Sequence, residues 1–233
     1  MKLEEAYNAA IDCWQNKQGE SWKKEYPELE DILKRGFWIC IGNKEGGILL
    51  SGVNPSFNGK ETSESIPFHK CSGRYWNLWR RNLAQYEDKA GYIDLFPLRV
   101  TKQKHEFEKY VPLELKAEIL RVTQRELERL KPQLIIHANK SSAFYYGTKP
   151  DAPWMGYDLE RVELPGRLGE KGTLYRINGL LNDDRRINYC DDDNTCLEGS
   201  HLFVCSMQSR LKSEARIHPK EINQLCDHLN IKQ

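Results

Sequence analysis

The stretch Ile48-Leu49-Leu50-Ser51-Gly52-Val53-Asn54-Pro55-Ser56 decides how this chain is read. A nearly unbroken apolar run ends in an Asn-Pro turn. A strand covered on both faces reads this way, since neither side needs a polar set. Pro55 has no N–H for a ladder and pushes Asn54 out of the helical region, so the strand stops there and turns. The strand thus delivers an amide to its carboxyl end, the edge at which open α/β sheets bind ligands. An Asn amide carries donors and an acceptor, enough to hold a water and a substrate edge together. Gly52 keeps the approach free of a side chain, and Ser56 and Phe57 can line the same pocket. The plain alternative is an ordinary Asn-Pro turn.

Outward from this stretch, strands alternate with helices. Residues 37–41 (Phe-Trp-Ile-Cys-Ile) form an aromatic β-type run, separated from the decisive strand by a Gly-rich turn at 42–47. Further strands are expected at 90–96, 134–138, 161–164, 173–177 and 200–205. Helices are expected at 73–84, from Pro112 to the Lys131-Pro132 stop, at 140–146, and from Pro219 onward. In the second of these, Leu113, Ala117, Leu120 and Leu127 share a face, and in the last Ile222, Leu225, Cys226 and Leu229 form a stripe. Residues 60–72 and 148–156 read as loops, and the acidic segment 182–199 as an exposed insertion. At the start, Leu3, Tyr7, Ala10, Ile11 and Trp14 recur at helical spacing, and Pro27 opens a second short helix. The expected fold is α/β: a three-layer α/β/α sandwich with a mostly parallel central sheet. Residues 1–35 form a helical extension laid on a single domain, 36–233.

Composition excludes several classes. The chain has 233 residues, with 35 Lys plus Arg against 34 Asp plus Glu. That length supports a core without staples, and the balance of charge does not announce a nucleic-acid binder. Local basic clusters do exist, at residues 74–81 and 210–216, and a local patch suffices for phosphates. No run approaches the ~18 apolar residues of a membrane span, and the start lacks a signal-peptide layout. A cytoplasmic protein that does not engage membranes is the expectation. The seven cysteines are odd in number and widely spaced, which fits reduced, packed thiols. Cys190 and Cys196 bracket an acidic loop, without the two tight pairs of a zinc site. Asp191-Asp192-Asp193-Asn194 begins like a calcium loop but has Cys196 and Leu202 where that loop needs Gly and Glu. No P-loop, dinucleotide fingerprint or nucleophile elbow occurs. No metal and no cofactor are expected.

Other candidates follow from position. Phe68, after Pro67, can stack on a planar base or simply anchor its loop. His69 and Asp94 are possible acid/base groups, Asp94 being near a strand end. His137, inside an apolar strand, reads as a satisfied core histidine. Ser209 can bond a phosphate, and Leu211 beside cations can wedge into a base stack.

In order along the chain, these pieces resemble the uracil-DNA glycosylase superfamily, closest to its mismatch-specific uracil/thymine branch. Gly52-Val53-Asn54-Pro55-Ser56 resembles that branch's Gly-Ile-Asn-Pro-Gly. Pro67-Phe68 and Gly73-Arg74-Tyr75-Trp76 resemble its Pro-Phe and Asn-Arg-Phe-Trp steps. Leu130-Lys131-Pro132-Gln133-Leu134-Ile135 is similar to its helix stop and next strand. Met207-Gln208-Ser209-Arg210-Leu211 stands where the family has Asn-Pro-Ser-Gly-Leu. The resemblance covers about residues 36 to 230. It implies a DNA-repair N-glycosylase that flips a damaged or mispaired base out of DNA and hydrolyses its glycosidic bond. Asn54 would position the water. Gly52, Val53, Pro55, Ser56, Phe57 and Phe68 would bind the base, Phe68 by stacking. Ser209, Arg210, Leu211 and Lys212 would bind DNA, with Ser209 on a phosphate and Leu211 filling the vacated stack. The departures are Met207 and Gln208, where the family has Asn or His and then Pro, and Arg210 for Gly. They leave a second reading: a nucleic-acid or nucleotide binder that has lost the chemistry.

Overall fold

The computed structural model describes residues 2–101, 106–187 and 194–232. In chain order the helices and strands are α1 Leu3–Gln18, α2 Trp22–Glu25, α3 Pro27–Lys34, β1 Trp38–Ile41, β2 Ile48–Gly52, β3 Glu64–Pro67, α4 Arg74–Asn82 and β4 Ala90–Asp94. Then come α5 Glu108–Tyr110, α6 Leu113–Leu130, β5 Leu134–His137, β6 Tyr157–Val162, α7 Leu168–Lys171, β7 Gly172–Leu180, β8 His201–Cys205 and α8 Pro219–His228. The central sheet has six strands in the order β4-β2-β5-β8-β7-β6. The first four run parallel, and β7 and β6 are antiparallel additions. The chain is therefore mixed α/β with a mostly parallel sheet.

The apolar strands are covered on both faces, as their lack of alternation requires. Leu49, Ile93, Ile135 and Leu202 join one core cluster with Tyr7, Ile11 and Trp14 of α1 and Leu115, Ile119, Leu120 and Leu127 of α6. Ile48, Leu50, Tyr92, Ile136 and Phe203 join the other with Leu78 and Trp79 of α4 and Ile222, Leu225 and Cys226 of α8. The N-terminal helices pack into the first cluster rather than beside it. The Tyr7 hydroxyl lies 2.8 Å from Thr123 Oγ1, and that hydroxyl donates to the Leu95 carbonyl at 2.7 Å. A chain of hydrogen bonds thus runs from α1 through α6 to the end of β4.

β2 is the first strand of the central sheet, and the chain adds β4 on one side of it before crossing to add β5 on the other. This is a topological switch point, where loops leave the carboxyl ends in opposite directions and open a crevice. Register fixes its floor: Gly52 pairs with Asp94 on one side, and Ser51 with His137 on the other.

Several expectations are corrected. The 37–41 run does not join the central sheet. Its strand β1 pairs in parallel with β3, inside the 60–72 segment read as a loop. β3 is polar and edge-like, so it lacks the apolar signal of a buried strand. The helix expected at 140–146 is present as a 3-10 helix closed by Gly147. Leu113 is 62% exposed, and the buried stripe of α6 runs through Leu115, Ile119, Leu120 and Leu127 instead. The expected strand at 161–164 is β6, which begins at Tyr157. The 182–199 segment is anchored at its described ends. Ile187 and Leu197 are buried, and Glu128 accepts hydrogen bonds from Thr195 Oγ1 and the Cys196 N–H, both 2.6 Å. Cys190 and the run Asp191-Asp192-Asp193 lie outside the described residues. No helix among the described residues is long and apolar enough to cross a membrane.

Candidate functional site

A cavity of about 950 Å³ opens at the switch point. Gly52 at the end of β2 and Val53, Asn54, Pro55 and Ser56 after it line the cavity, with Asp94 from β4, Ala138 and Asn139 just after β5, and Met207, Ser209 and Arg210 from the loop after β8. Four parallel carboxyl ends thus converge on it, because the same strand register that packs the core brings their exits to one edge.

Asp94 is the chemical centre of this wall. Tyr92 and Asp94 lie two residues apart on β4 and share a face. The Tyr92 hydroxyl donates to Asp94 Oδ1 at 2.6 Å. Asp94 Oδ2 is buried and has no hydrogen-bond partner among the described residues. Burial pushes the Asp94 carboxyl up to about 7, against the Tyr92 hydrogen bond. Such a group exchanges a proton near neutrality. Gly52 is required opposite it, since a Cβ there would run into the Tyr92 hydroxyl and the Asp94 carboxylate. Asn54 Nδ2 donates to the Pro55 carbonyl at 3.2 Å, while its Oδ1 is buried without a partner among the described residues. Two acceptors on residues that line the cavity are therefore without a partner among the described residues. A buried polar atom costs stability unless a partner arrives, so such atoms mark a ligand or water position.

The aromatic wall differs from expectation. Phe68 is buried in the second core cluster, and its ring meets Trp76 edge-on at 6.3 Å rather than lining the cavity. Tyr75, Trp76, Tyr92 and Trp38 line it instead. Trp76 stacks on Trp38 at 5.0 Å and meets Tyr92 at 4.5 Å. The alternation of β4 and the start of α4 carried this signal, in Tyr92 two residues before Asp94 and in Tyr75-Trp76. Phe57 also turns away from the cavity, its ring under the Arg35 guanidinium at 4.7 Å.

No protein-family model matches this chain, and no curated protein matches it. What the site can do is therefore argued from its own geometry.

On the opposite rim, Ser209 and Arg210 reach the cavity, whereas Leu211 is half-buried and Lys212 exposed, and neither lines it. The loop is braced by Gln208, which is buried; its Nε2 donates to the Ser206 carbonyl at 2.7 Å and its Oε1 accepts from the Ile217 N–H at 2.6 Å. A side chain thus fixes this loop. Arg99, 1% exposed, holds the near rim. Its guanidinium donates to the Thr62 carbonyl at 2.6 Å and to Asn58 Oδ1 at 2.5 Å.

His137 is a core residue. Nδ1 lies 3.2 Å from Ser51 Oγ and Nε2 2.8 Å from Ser142 Oγ, and burial pushes its pKa down to about 3. It stays neutral and has both nitrogens paired. His69 is exposed and does not line the cavity; its carbonyl accepts from Arg80 at 2.7 Å. Among the described residues no group of three or more His, Cys, Asp or Glu could hold a metal ion.

Proposed function

We propose that the chain is a uracil-DNA glycosylase-like N-glycosylase acting on a base flipped out of DNA, with Asp94 as its general base. The observation that carries this reading is that Asp94 Oδ2 and Asn54 Oδ1, on residues that line one cavity together with Tyr75 and Trp76, are both buried without a hydrogen-bond partner among the described residues. In the reaction a water attacks the sugar C1′. The bond from C1′ to the base nitrogen breaks, and its electron pair leaves with the base. Asp94 takes the water's proton, and its charge favours the cationic sugar of the transition state. Asn54 Oδ1 accepts from the same water and fixes its position, a role an amide can fill although it cannot take a proton. Tyr75 and Trp76 supply the π-faces for the extruded base, a contact of ~1–3 kcal/mol per base. Ser209 and Arg210 suit flanking phosphates. The order and spacing of the motifs around Asn54 support the same family reading.

The test is release of base from duplex and single-stranded oligonucleotides carrying uracil, other deaminated bases or mismatches. Release by the wild type that is lost in Asp94→Asn and reduced in Asn54→Ala supports the enzyme. Met207 in the cavity wall, apolar where the family has a polar residue, favours the second reading, a binder without chemistry. That reading expects no release, and salt-sensitive binding that survives Asn54→Ala and fails with Arg210→Ala.

A further inference from the structure

We propose that Arg99 anchors an oxyanion inside the cavity, the phosphate of a nucleotide whose base lies against the aromatic wall. The backbone puts the arginine there. Beyond the sheet, the exits of β2 and β4 stay paired. The Leu95 N–H donates to the Gly52 carbonyl at 3.1 Å, the Phe96 N–H to the Val53 carbonyl at 2.8 Å and the Val100 N–H to the Pro55 carbonyl at 3.1 Å. The Phe57 N–H donates in turn to the Val100 carbonyl at 3.1 Å, and Ser56 bridges Val100 in parallel. The other edge of the segment is tied to the start of β1, by the Phe37–Leu98 bridge and the Trp38 N–H on the Pro97 carbonyl at 3.1 Å. Arg99 is thus held alongside the turn that carries Asn54, and both residues line the cavity.

The charge of Arg99 is incompletely matched. A guanidinium has five N–H donors. Here Nη1 donates to the Thr62 carbonyl and Nη2 to Asn58 Oδ1, both neutral acceptors. Nε is buried and has no partner among the described residues. The carboxylate beside it, Glu64 Oε1, lies 3.9 Å from Nη2, outside hydrogen-bond reach, on a side chain 24% exposed. A buried cation is therefore neutralised only from a distance, whereas a buried charge is stable when it is both paired and hydrogen-bonded. An oxyanion supplies both, by accepting from the Nε–H and bringing the opposite charge. Arg35, whose Nη1 reaches the Arg99 carbonyl at 3.4 Å, is paired with Glu106 at 2.8 Å and does not line the cavity. Lys70 and Arg210 line it but are exposed, so they attract anions without enclosing one. The rest of the cavity says what carries the oxyanion. A volume of about 950 Å³ holds a whole small molecule rather than a lone base, and Trp38, Tyr75, Trp76 and Tyr92 offer rings to a planar one. A base, a sugar and a phosphate fit that combination, whether the phosphate belongs to a free nucleotide or to a strand. The proposal does not depend on base release, since a binder without chemistry would use the same site.

The experiment follows the Arg99 Nε–H resonance by NMR in the full-length wild-type protein, assigned through its own side-chain carbons. The probes are the purine and pyrimidine nucleoside 5′-monophosphates, the matching nucleosides and a mixed-sequence single-stranded oligonucleotide. The expected result is a saturable downfield shift with a phosphate-bearing probe and none with the nucleosides. A shift with a monophosphate identifies a free nucleotide as the occupant, and a shift with the oligonucleotide alone identifies a strand phosphate. Arg99→Lys keeps the charge and removes the Nε–H. It should bind the effective probe about 10-fold more weakly or worse and leave nucleoside binding as in wild type. A resonance that moves with no phosphate-bearing probe, or as far with a nucleoside as with its monophosphate, would overturn the proposal. Both outcomes are read on the wild type, so the result stands even if the lysine variant folds poorly.

Discussion

At the scale of single residues, Asp94 makes the sharpest predictions. In the proposed role of general base it would work only when ionised, so on that reading base release should fall as pH drops below about 7 and level off above it. Asp94→Asn should lower the rate about 100-fold or more and remove that limb from the pH–rate profile. The same substitution has an opposite effect on stability. Burial raises the folded pKa from 3.8 to about 7, so the folded state holds the proton more tightly than the unfolded chain. Its contribution is fully present below about pH 4 and is lost as pH rises through about 7. Asp94→Asn should therefore be more stable than wild type at pH 8, on the order of 4 kcal/mol, with the gap closing toward pH 4. Urea unfolding at the two pH values measures this, and an unchanged midpoint at pH 8 would count against the buried carboxylate. Gly52→Ala should cost roughly 1–3 kcal/mol by overpacking and abolish release, since its methyl would enter the space of Tyr92 and Asp94.

At the scale of elements, Arg99 is the clip for the segment between β2 and β3. Its guanidinium holds Asn58 and Thr62 and lies 3.9 Å from Glu64. Removing one partner of such a buried charged network costs about 3–5 kcal/mol. Arg99→Ala should open residues 58–63 to limited proteolysis while the central sheet stays protected. Cleavage no faster than in wild type would show that the loop is held by something else. The same elements show what the sequence made legible. β2, β4, β5 and β8 were readable because a strand buried on both faces carries one continuous apolar signal. β3 was not, because its stability comes from pairing with β1 rather than from its own side chains. Its place after Pro67 lets Phe68 read either as a stacking ring for a base or as a loop anchor. Packing decides for the anchor, since a ring on a short turn beside β1 finds the core before it finds the cavity.

At the scale of the whole molecule, residues 1–35 are expected to be inseparable from the rest. Tyr7, Ile11, Trp14, Leu29 and Ile32 belong to the same core cluster as Leu49 and Ile135 of the central strands. Deleting 1–35 should give an aggregating or unfolded product, and a soluble product with wild-type cooperativity on heating would contradict this. The apolar strands, their Asn-Pro exit and the alternation with helices are legible from residue type, because burial and turn chemistry are local properties. Which side chains share the cavity follows from the folded arrangement instead. Strand order and register put Asp94 beside Gly52 and Trp76 in place of Phe68 in the cavity wall, and these depend on contacts between residues distant in the chain, which no local pattern encodes.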